Sequence, residues 1–114
     1  MGCGKLYSDA RLAELKGKNV FVNMTADWCL TCKVNERLVF DNEEVQALMK
    51  AKNVFWLKGD WTQRNEEITR FLNRYDRVGV PFYVLYSLQN PAGSTLPEVL
   101  TKRSFIEFIN KEFP

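Results

Sequence analysis

The chain has 114 residues, of which 46% are hydrophobic and 13% aromatic, and its formal net charge at neutral pH is +2. This length and composition fit one small domain with a single core, and the mixed charges provide no basic stripe for nucleic acid. No apolar run reaches the roughly 18–20 residues that a membrane-spanning helix needs, and no apolar segment typical of a signal peptide follows Met1.

The start of the chain carries no pattern typical of a helix or a strand. We expect residues 1–7 to be a disordered N-terminal segment or a cloning remnant, and residues 8–114 to form a single domain without repeats or linkers. Cys3 lies in the first segment, where lipid attachment would need an apolar signal upstream. We therefore interpret Cys3 as an incidental thiol.

The first predicted elements are a short helix, a strand and a second helix. Ser8 or Asp9 can cap the short helix, which Gly17 closes. Residues 20–24 are apolar and rich in strand formers, so they predict the first clear strand. Apolar residues then recur with a helical period over residues 30–39.

The middle of the chain predicts a helix, a buried strand and another helix. Asp41 and Glu44 have the spacing of a capping box, so we expect a helix that ends near Lys52. Residues 54–57 are continuously apolar, which predicts a central strand buried on both faces. Asn65 can cap the next helix. The apolar face of that helix comprises Ile68, Phe71, Leu72 and Tyr75.

The last third of the chain continues the same alternation. Residues 82–86 read as a strand, and residues 90–93 as a turn. Pro97 limits residues 98–100 to a short edge strand at most. Thr101 can cap a final helix. The helix carries its apolar face on Phe105, Ile109 and Phe113. Alternating strands and helices predict an α/β domain.

Two cysteines three positions apart, Cys29 and Cys32, lie where the first strand gives way to a helix. Residues at this spacing lie about 5–6 Å apart at Cβ on a helix, and a small adjustment of the first turn allows a disulfide. The helix dipole and the nearby cation of Lys33 favour a thiolate at Cys29. Cys29 is therefore the predicted exposed nucleophile, and the more shielded Cys32 is predicted to resolve the mixed disulfide.

Two other interpretations of the cysteine pair are disfavoured. A structural zinc site needs four ligands, whereas the chain has no histidine and only one further cysteine. A purely structural disulfide at this spacing closes almost no loop and so constrains the unfolded chain little. We expect no metal, and no cofactor other than a redox-active Cys29–Cys32 disulfide.

These residues resemble the thioredoxin superfamily, and most closely the C-terminal periplasmic domain of the thiol:disulfide interchange protein DsbD and its ScsB-type relatives. The resemblance runs from about Val20 to Phe113, and three segments carry it. They are residues 25–33 around the cysteines, Asp60-Trp61-Thr62, and Gly79-Val80-Pro81. The resemblance implies a thioredoxin fold, in which helices flank a central mixed β-sheet on both faces.

The resemblance also implies roles for residues outside the cysteine pair. Pro81 matches a cis-proline that faces the disulfide and turns the backbone of Val80 outward to pair with an extended partner segment. Glu36 matches an acid near the active site and is a possible proton acceptor. Asn23 stands where thioredoxins place a buried aspartate, so it should alter the tuning of the thiol pKa. Trp28 is expected to shape the docking surface. Two alternatives carry about the same weight, namely a core position for Trp28 and a solvated side chain for Glu36. A trans Pro81 at the start of an edge strand is a third alternative, which the cysteine motif disfavours.

The function that the resemblance implies is electron relay by a thiol:disulfide oxidoreductase. Its partners would be other redox proteins or domains, joined through transient mixed disulfides. The donor would be a transmembrane domain of the same full-length protein, and the substrates would be periplasmic. Two alternatives stay open, namely a free-standing thioredoxin-like protein disulfide reductase and a redox-inert binding or chaperone module with the same fold.

Overall fold

The computed structural model describes residues 5–114, so the interpretation of Cys3 lies outside the described residues. Its elements follow in chain order. They are β1 (Lys5–Leu6), α1 (Asp9–Glu14), β2 (Val20–Thr25), α2 (Leu30–Asn35), a π-helix (Glu36–Phe40), α3 (Glu43–Ala51), β3 (Phe55–Asp60), α4 (Glu66–Arg74), β4 (Phe82–Ser87), β5 (Asn90–Thr95) and α5 (Lys102–Glu112).

The strands form one mixed sheet in the order β1-β3-β2-β4-β5. Strand β3 pairs in parallel with both β1 and β2, whereas β4 pairs antiparallel with β2 and with β5. Strand β2 lies in the middle, and all six of its residues are buried. The carboxyl end of β2 leads into the cysteine segment, so the central strand positions that segment.

The two faces of the sheet carry separate hydrophobic cores. Alternation along β2 sends Phe21 to one face and Val20, Val22 and Met24 to the other. On the first face the π-helix, α3 and α5 pack against the sheet through Val39, Phe40, Val45, Met49, Phe105 and Ile109. On the second face α1 and α4 pack through Leu12, Leu15, Ile68, Phe71 and Leu72. Helices therefore cover both faces, as predicted.

The N-terminal prediction is wrong for residues 5–7. Lys5 and Leu6 form β1 opposite Leu57 and Lys58, and the backbone N–H of Tyr7 donates to the carbonyl of Lys58 at 2.8 Å. Tyr7 is also buried. A two-residue strand is too short to show a hydrophobic periodicity, so β1 could not be predicted from the sequence pattern.

Two predictions in the middle of the chain also need correction. Helix α3 is capped by Asn42 and not by Asp41, because Asn42 Oδ1 accepts hydrogen bonds from the N–H groups of Glu44 and Val45 at 2.9 and 3.2 Å. Strand β3 is not buried on both faces, since Phe55 is largely exposed. The short neighbour β1 leaves the beginning of β3 open to solvent.

Two predictions for the segment after β4 are also wrong. Residues 90–93 belong to strand β5 and not to a turn, and residues 98–100 form no strand. Pro91 is compatible with β5 because this strand lies at the sheet edge, where one row of backbone groups needs no partner. Leu88 and Gln89 make the connection from β4 instead.

Candidate active site

Cys29 and Cys32 are joined by a disulfide at the start of helix α2. Their Cα atoms lie 5.3 Å apart, within the usual range for such a bond. Cys29 is the N-cap residue, and its Sγ accepts a hydrogen bond from the backbone N–H of Cys32 at 3.2 Å. The sulfur of Cys29 therefore occupies the place where a helix N-terminus stabilises negative charge.

The two cysteines differ in their exposure to solvent. Cys29 keeps 7% of its surface exposed and Cys32 only 1%. Cys29 is thus the more accessible cysteine, although it is much less open than the exposed nucleophile that we expected. Ala26 and Val80 pack against the pair. A partner therefore has to reach a cysteine that is almost entirely buried.

The segment before β4 forms one wall of the site. The Val80–Pro81 peptide bond is cis. Pro81 is buried, and the half-buried Val80 contacts the cluster of Ala26, Cys29 and Cys32. The structure therefore brings Val80 of the predicted docking segment against the disulfide, with the cis Pro81 as its neighbour in the chain.

Lys33 lies between two carboxylates. Its Nζ is 3.6 Å from Asp27 Oδ1 and 3.9 Å from Glu36 Oε1. The negative charges of these two carboxylates partly cancel the positive electrostatic potential of the ammonium group at neighbouring atoms. Lys33 is therefore a weaker source of positive potential at Cys29 than a lone cation would be.

Glu36 follows α2 directly and is tied to the end of strand β2. Thr25 Oγ1 donates a hydrogen bond to Glu36 Oε2 at 2.9 Å, and only 21% of the glutamate side chain is exposed. The side chain is therefore held in one place and is not a freely solvated surface group. Its role as a proton acceptor stays a prediction.

Asn23 is buried in β2, on the same face of the sheet as Phe21 and Thr25. Its Oδ1 has no hydrogen-bond partner among the described residues. An unpaired buried acceptor typically costs about 1–3 kcal/mol of stability. Asn23 therefore brings a polar group into the interior without the charge of an aspartate.

Trp28 lies on the rim of the site and not in the core. Its side chain is 47% exposed, and its Nε1 donates to the carbonyl oxygen of Thr62 at 3.1 Å. The N–H of Asp27 donates to Thr62 Oγ1 at 2.8 Å. Hydrogen bonds from Thr62 in turn hold the pKa of Asp60 below its usual value. Thr62 thus links the loop after β3 to the cysteine segment through hydrogen bonds.

A second residue that anchors the site, the buried Asn35, was not predicted from the sequence. Its Nδ2 donates to Tyr83 Oη and to the carbonyl of Glu98, both at 2.7 Å, and its Oδ1 accepts from the N–H of Leu100 at 3.3 Å. Burial raises the pKa of Tyr83. Asn35 therefore links the active-site helix to β4 and to the segment before α5, and no sequence pattern singles it out.

The apolar residues that predicted α2 are mostly exposed. Leu30, Val34 and Leu38 face solvent, whereas Cys32 and Asn35 are the buried residues of the helix. The predicted helix over residues 30–39 is present as α2 followed by the π-helix, but most of the apolar residues that predicted it lie outside the core. Among residues 5–114 no helix is long and apolar enough to cross a membrane, and no cluster of metal-binding side chains occurs.

Comparison with known proteins gives a family and a fold. The Thioredoxin-like family model matches residues 5–87. The thiol:disulfide interchange protein DsbD 1 of Pseudomonas aeruginosa is 38% identical over 81 residues, which are 69% of this chain and 13% of that protein. DsbD of Yersinia pestis is 32% identical over 80 residues, which are 70% of this chain and 13% of that protein. The chain thus spans about an eighth of the length of these relatives.

Solved structures show the same architecture. The oxidised C-terminal domain of DsbD from Neisseria meningitidis matches with a TM-score of 0.73 at 24% identity, over 91% of this chain and 88% of that chain. A thioredoxin from Thermus thermophilus matches with a TM-score of 0.73 at 18% identity, over 97% of this chain and 87% of that chain. The predicted thioredoxin fold is confirmed.

Proposed function

This chain belongs to the thioredoxin-like family, and from that premise we propose that it relays electrons between a transmembrane domain of a longer protein and oxidised proteins in the periplasm. The domain is a thiol:disulfide oxidoreductase of the kind found in its DsbD relatives. One observation carries the proposal: Cys29 and Cys32 form a disulfide at the start of α2, in which Cys29 is the N-cap residue and the more exposed of the two cysteines.

The reduced domain would act on a substrate disulfide in two exchanges. In the first, the Cys29 thiolate attacks one substrate sulfur, the substrate S–S bond breaks, and the other substrate sulfur leaves as a thiolate that takes a proton from water. In the second, the Cys32 thiolate attacks Sγ of Cys29 and releases the remaining substrate thiolate. The substrate gains two electrons, and Cys29–Cys32 becomes a disulfide.

Two features support this division of labour. The backbone N–H of Cys32 already donates to Cys29 Sγ, and a hydrogen bond of this kind becomes stronger when the acceptor is a thiolate. Cys32 has to lose a proton before it attacks, and Glu36 is the partly buried carboxylate one turn further along the helix. We assign the uptake of that proton to Glu36.

The relay itself is supported by the relatives. They are named thiol:disulfide interchange proteins, and this chain corresponds to only 13% of their length. A further domain of such a protein can therefore supply a dithiol. Its thiolate would attack Cys29, and the same exchange in reverse would return Cys29 and Cys32 to the reduced state. We expect no bound cofactor besides the disulfide.

A stopped-flow assay with the Cys29→Ser and Cys32→Ser variants tests the assignment. The wild-type domain should reduce a disulfide peptide, Cys29→Ser should be inactive, and Cys32→Ser should accumulate a mixed disulfide with the peptide. Reduction by Cys29→Ser would show that the nucleophile is wrongly assigned. Thiol titration across a glutathione redox series should show one reversible two-electron transition, and its absence would favour an inert binding module.

The supply of electrons distinguishes the relay from a free-standing reductase. With NADPH and a soluble thioredoxin reductase as the only source of electrons, we expect turnover close to the background rate. Dithiothreitol, which reduces disulfides without recognising a protein surface, should support turnover and serves as the positive control. Rapid turnover with the soluble enzyme would contradict the relay.

A further inference from the structure

The guanidinium group of Arg64 stacks on the tryptophan at the rim of the active site. Its Cζ lies 4.7 Å from the ring centroid of Trp28 and 5.5 Å from that of Trp61. The two rings are 6.0 Å apart and inclined by 54°. A guanidinium group over an aromatic face is attracted by the negative face of the ring. Arg64 is therefore held against Trp28, the residue before Cys29, and does not move freely through solvent.

The hydrogen-bond donors of Arg64 are free. Within residues 5–114 its exposed guanidinium makes no ion pair and no side-chain hydrogen bond. The other charges at this edge of the site are engaged, since Lys33 pairs with Asp27 and Glu36, and Asp60 accepts hydrogen bonds from Thr62. Five N–H donors in a planar fork thus remain available beside Trp28, at the rim of the site.

The backbone of Arg64 adopts a conformation that its residue type disfavours. Its φ angle is +50°, in the left-handed region, where the Cβ of any residue other than glycine crowds the following carbonyl oxygen. The N–H of Arg64 donates to the carbonyl of Trp61 at 2.9 Å, which keeps the turn closed. Glycine or asparagine would suit this backbone conformation better, so the turn itself does not favour an arginine here.

The position of Arg64 relative to Cys29 is fixed by the loop that carries it. Thr62 accepts from the N–H of Asp27 and from Nε1 of Trp28, so the loop cannot shift without breaking both hydrogen bonds. Trp28 directly precedes Cys29 in the chain, so a partner segment that reaches Cys29 comes close to the Trp28 ring and to the guanidinium group that lies over it. The arginine is therefore placed to contact residues that flank the partner's cysteine.

We propose that Arg64 is a specificity residue, which binds the carboxylate of an aspartate or glutamate close to the reactive cysteine in the partner segment. This inference rests on the proposed function and names the partner's chemistry. A planar fork stacked on an aromatic ring is well suited to bidentate binding of a carboxylate. Docking against Trp28 also removes water from the pair, which strengthens it. A single free arginine is not the basic cluster that an anionic membrane surface attracts.

Three disulfide-linked peptides test the proposal. They are identical except that the residue next to the cysteine is Glu, Gln or Lys, and each cysteine is capped by 2-mercaptoethanol. Quenched-flow chromatography measures the rate at which the reduced domain releases each peptide. We expect the Glu peptide to react about fivefold faster than the Gln peptide at low salt, near the upper end for a pair at a protein surface. The Lys peptide should be slowest, and added salt should shrink the differences.

Substitutions at Arg64 then locate the preference. In Arg64→Gln the ratio of the Glu to the Gln rate should fall to about one, and Arg64→Lys should keep only part of it, because a point charge lacks the fork. The ratio is taken within each variant, so a general change in thiol reactivity cancels. Arg103→Gln, at an exposed arginine of α5, is the matched control and should keep the wild-type ratio.

The outcomes distinguish an error in the role of Arg64 from an error in the proposed function. A wild-type domain that reduces all three peptides at equal rates, or an Arg64→Gln variant that keeps the Glu preference, overturns the role of Arg64 and leaves the oxidoreductase intact. A wild-type domain that reduces none of the peptides, nor oxidised 2-mercaptoethanol, overturns the proposed function itself.

Discussion

Lys33 and Glu36 form a pair whose members act in opposite directions on the thiols beside them. The ammonium group of Lys33 favours a thiolate at Cys29, whereas the carboxylate of Glu36 disfavours it. The two charged groups lie 3.9 Å apart, and Asp27 approaches Lys33 from the other side. At this scale the reactivity of Cys29 depends on a balance among three side chains and not on one cation.

Removal of the negative charge at Glu36 should change the reactivity of Cys29 in a measurable way. In a Cys32→Ser background, Glu36→Gln deletes a negative charge from the site, so the pH profile of Cys29 alkylation by iodoacetamide should move to lower pH. In the enzyme with both cysteines the same change should slow the second exchange, because Cys32 loses its proton acceptor. Glu107→Gln, at an exposed glutamate of α5, is the control. An unchanged alkylation profile would remove Glu36 from the mechanism.

At the scale of elements, the hydrophobic periodicity of the sequence predicted the helices that bury one regular face. Helix α4 was expected from its apolar spacing, with Asn65 as the cap, and it begins at Glu66. Helix α5 was expected after Thr101, and the hydroxyl of this residue does cap it. These helices were predictable because each buries one regular face. Strands β1 and β5 escaped prediction because one is two residues long and the other contains Pro91 and Gly93.

The same reasoning explains which parts of the site were visible in the sequence. Cys29, Cys32 and Pro81 stand in short motifs whose spacing carries chemistry. Asn35 and Arg64 stand in no motif, since their importance depends on residues up to 65 positions away or on a stacked ring. Contacts at such sequence separations are fixed by the tertiary fold, and a pattern of neighbouring residues does not report them.

Asn35 provides a test of how firmly the active-site helix is attached. Asn35→Ala leaves Tyr83 Oη, the carbonyl of Glu98 and the N–H of Leu100 without their partner, so it should lower the free energy of unfolding by about 2–4 kcal/mol. Urea denaturation followed by circular dichroism measures the loss. Asn73→Ala, at an exposed position of α4, should change stability by less than about 0.5 kcal/mol. Equal effects of the two substitutions would show that the buried hydrogen bonds of Asn35 contribute nothing.

At the scale of the whole molecule, the disulfide is supported by a sheet with a core on each face. Strand β2 contributes Phe21 to one core and Val22 to the other and then leads into the cysteine segment. Neither core contains a cysteine, and the disulfide has its own small cluster with Ala26 and Val80. The fold therefore depends on the two cores, and opening the disulfide should leave them packed.

The two redox forms should both be folded but differ in stability, and the sign of the difference reports whether folding shifts the potential of the cysteine pair toward a reductant or toward an oxidant. The disulfide closes a very short loop, so chain entropy favours the oxidised form by only about 2 kcal/mol. By the thermodynamic cycle, an oxidised form that is more stable than the reduced form gives the folded pair a more negative potential than the same pair in the unfolded chain. With about 30 mV for each 1.4 kcal/mol, the expected shift is about 40 mV toward a reductant. Urea unfolding of both forms measures this difference, with the Cys29→Ser/Cys32→Ser protein as the control without a disulfide. A reduced form that is the more stable of the two would make the domain an oxidant and contradict the relay.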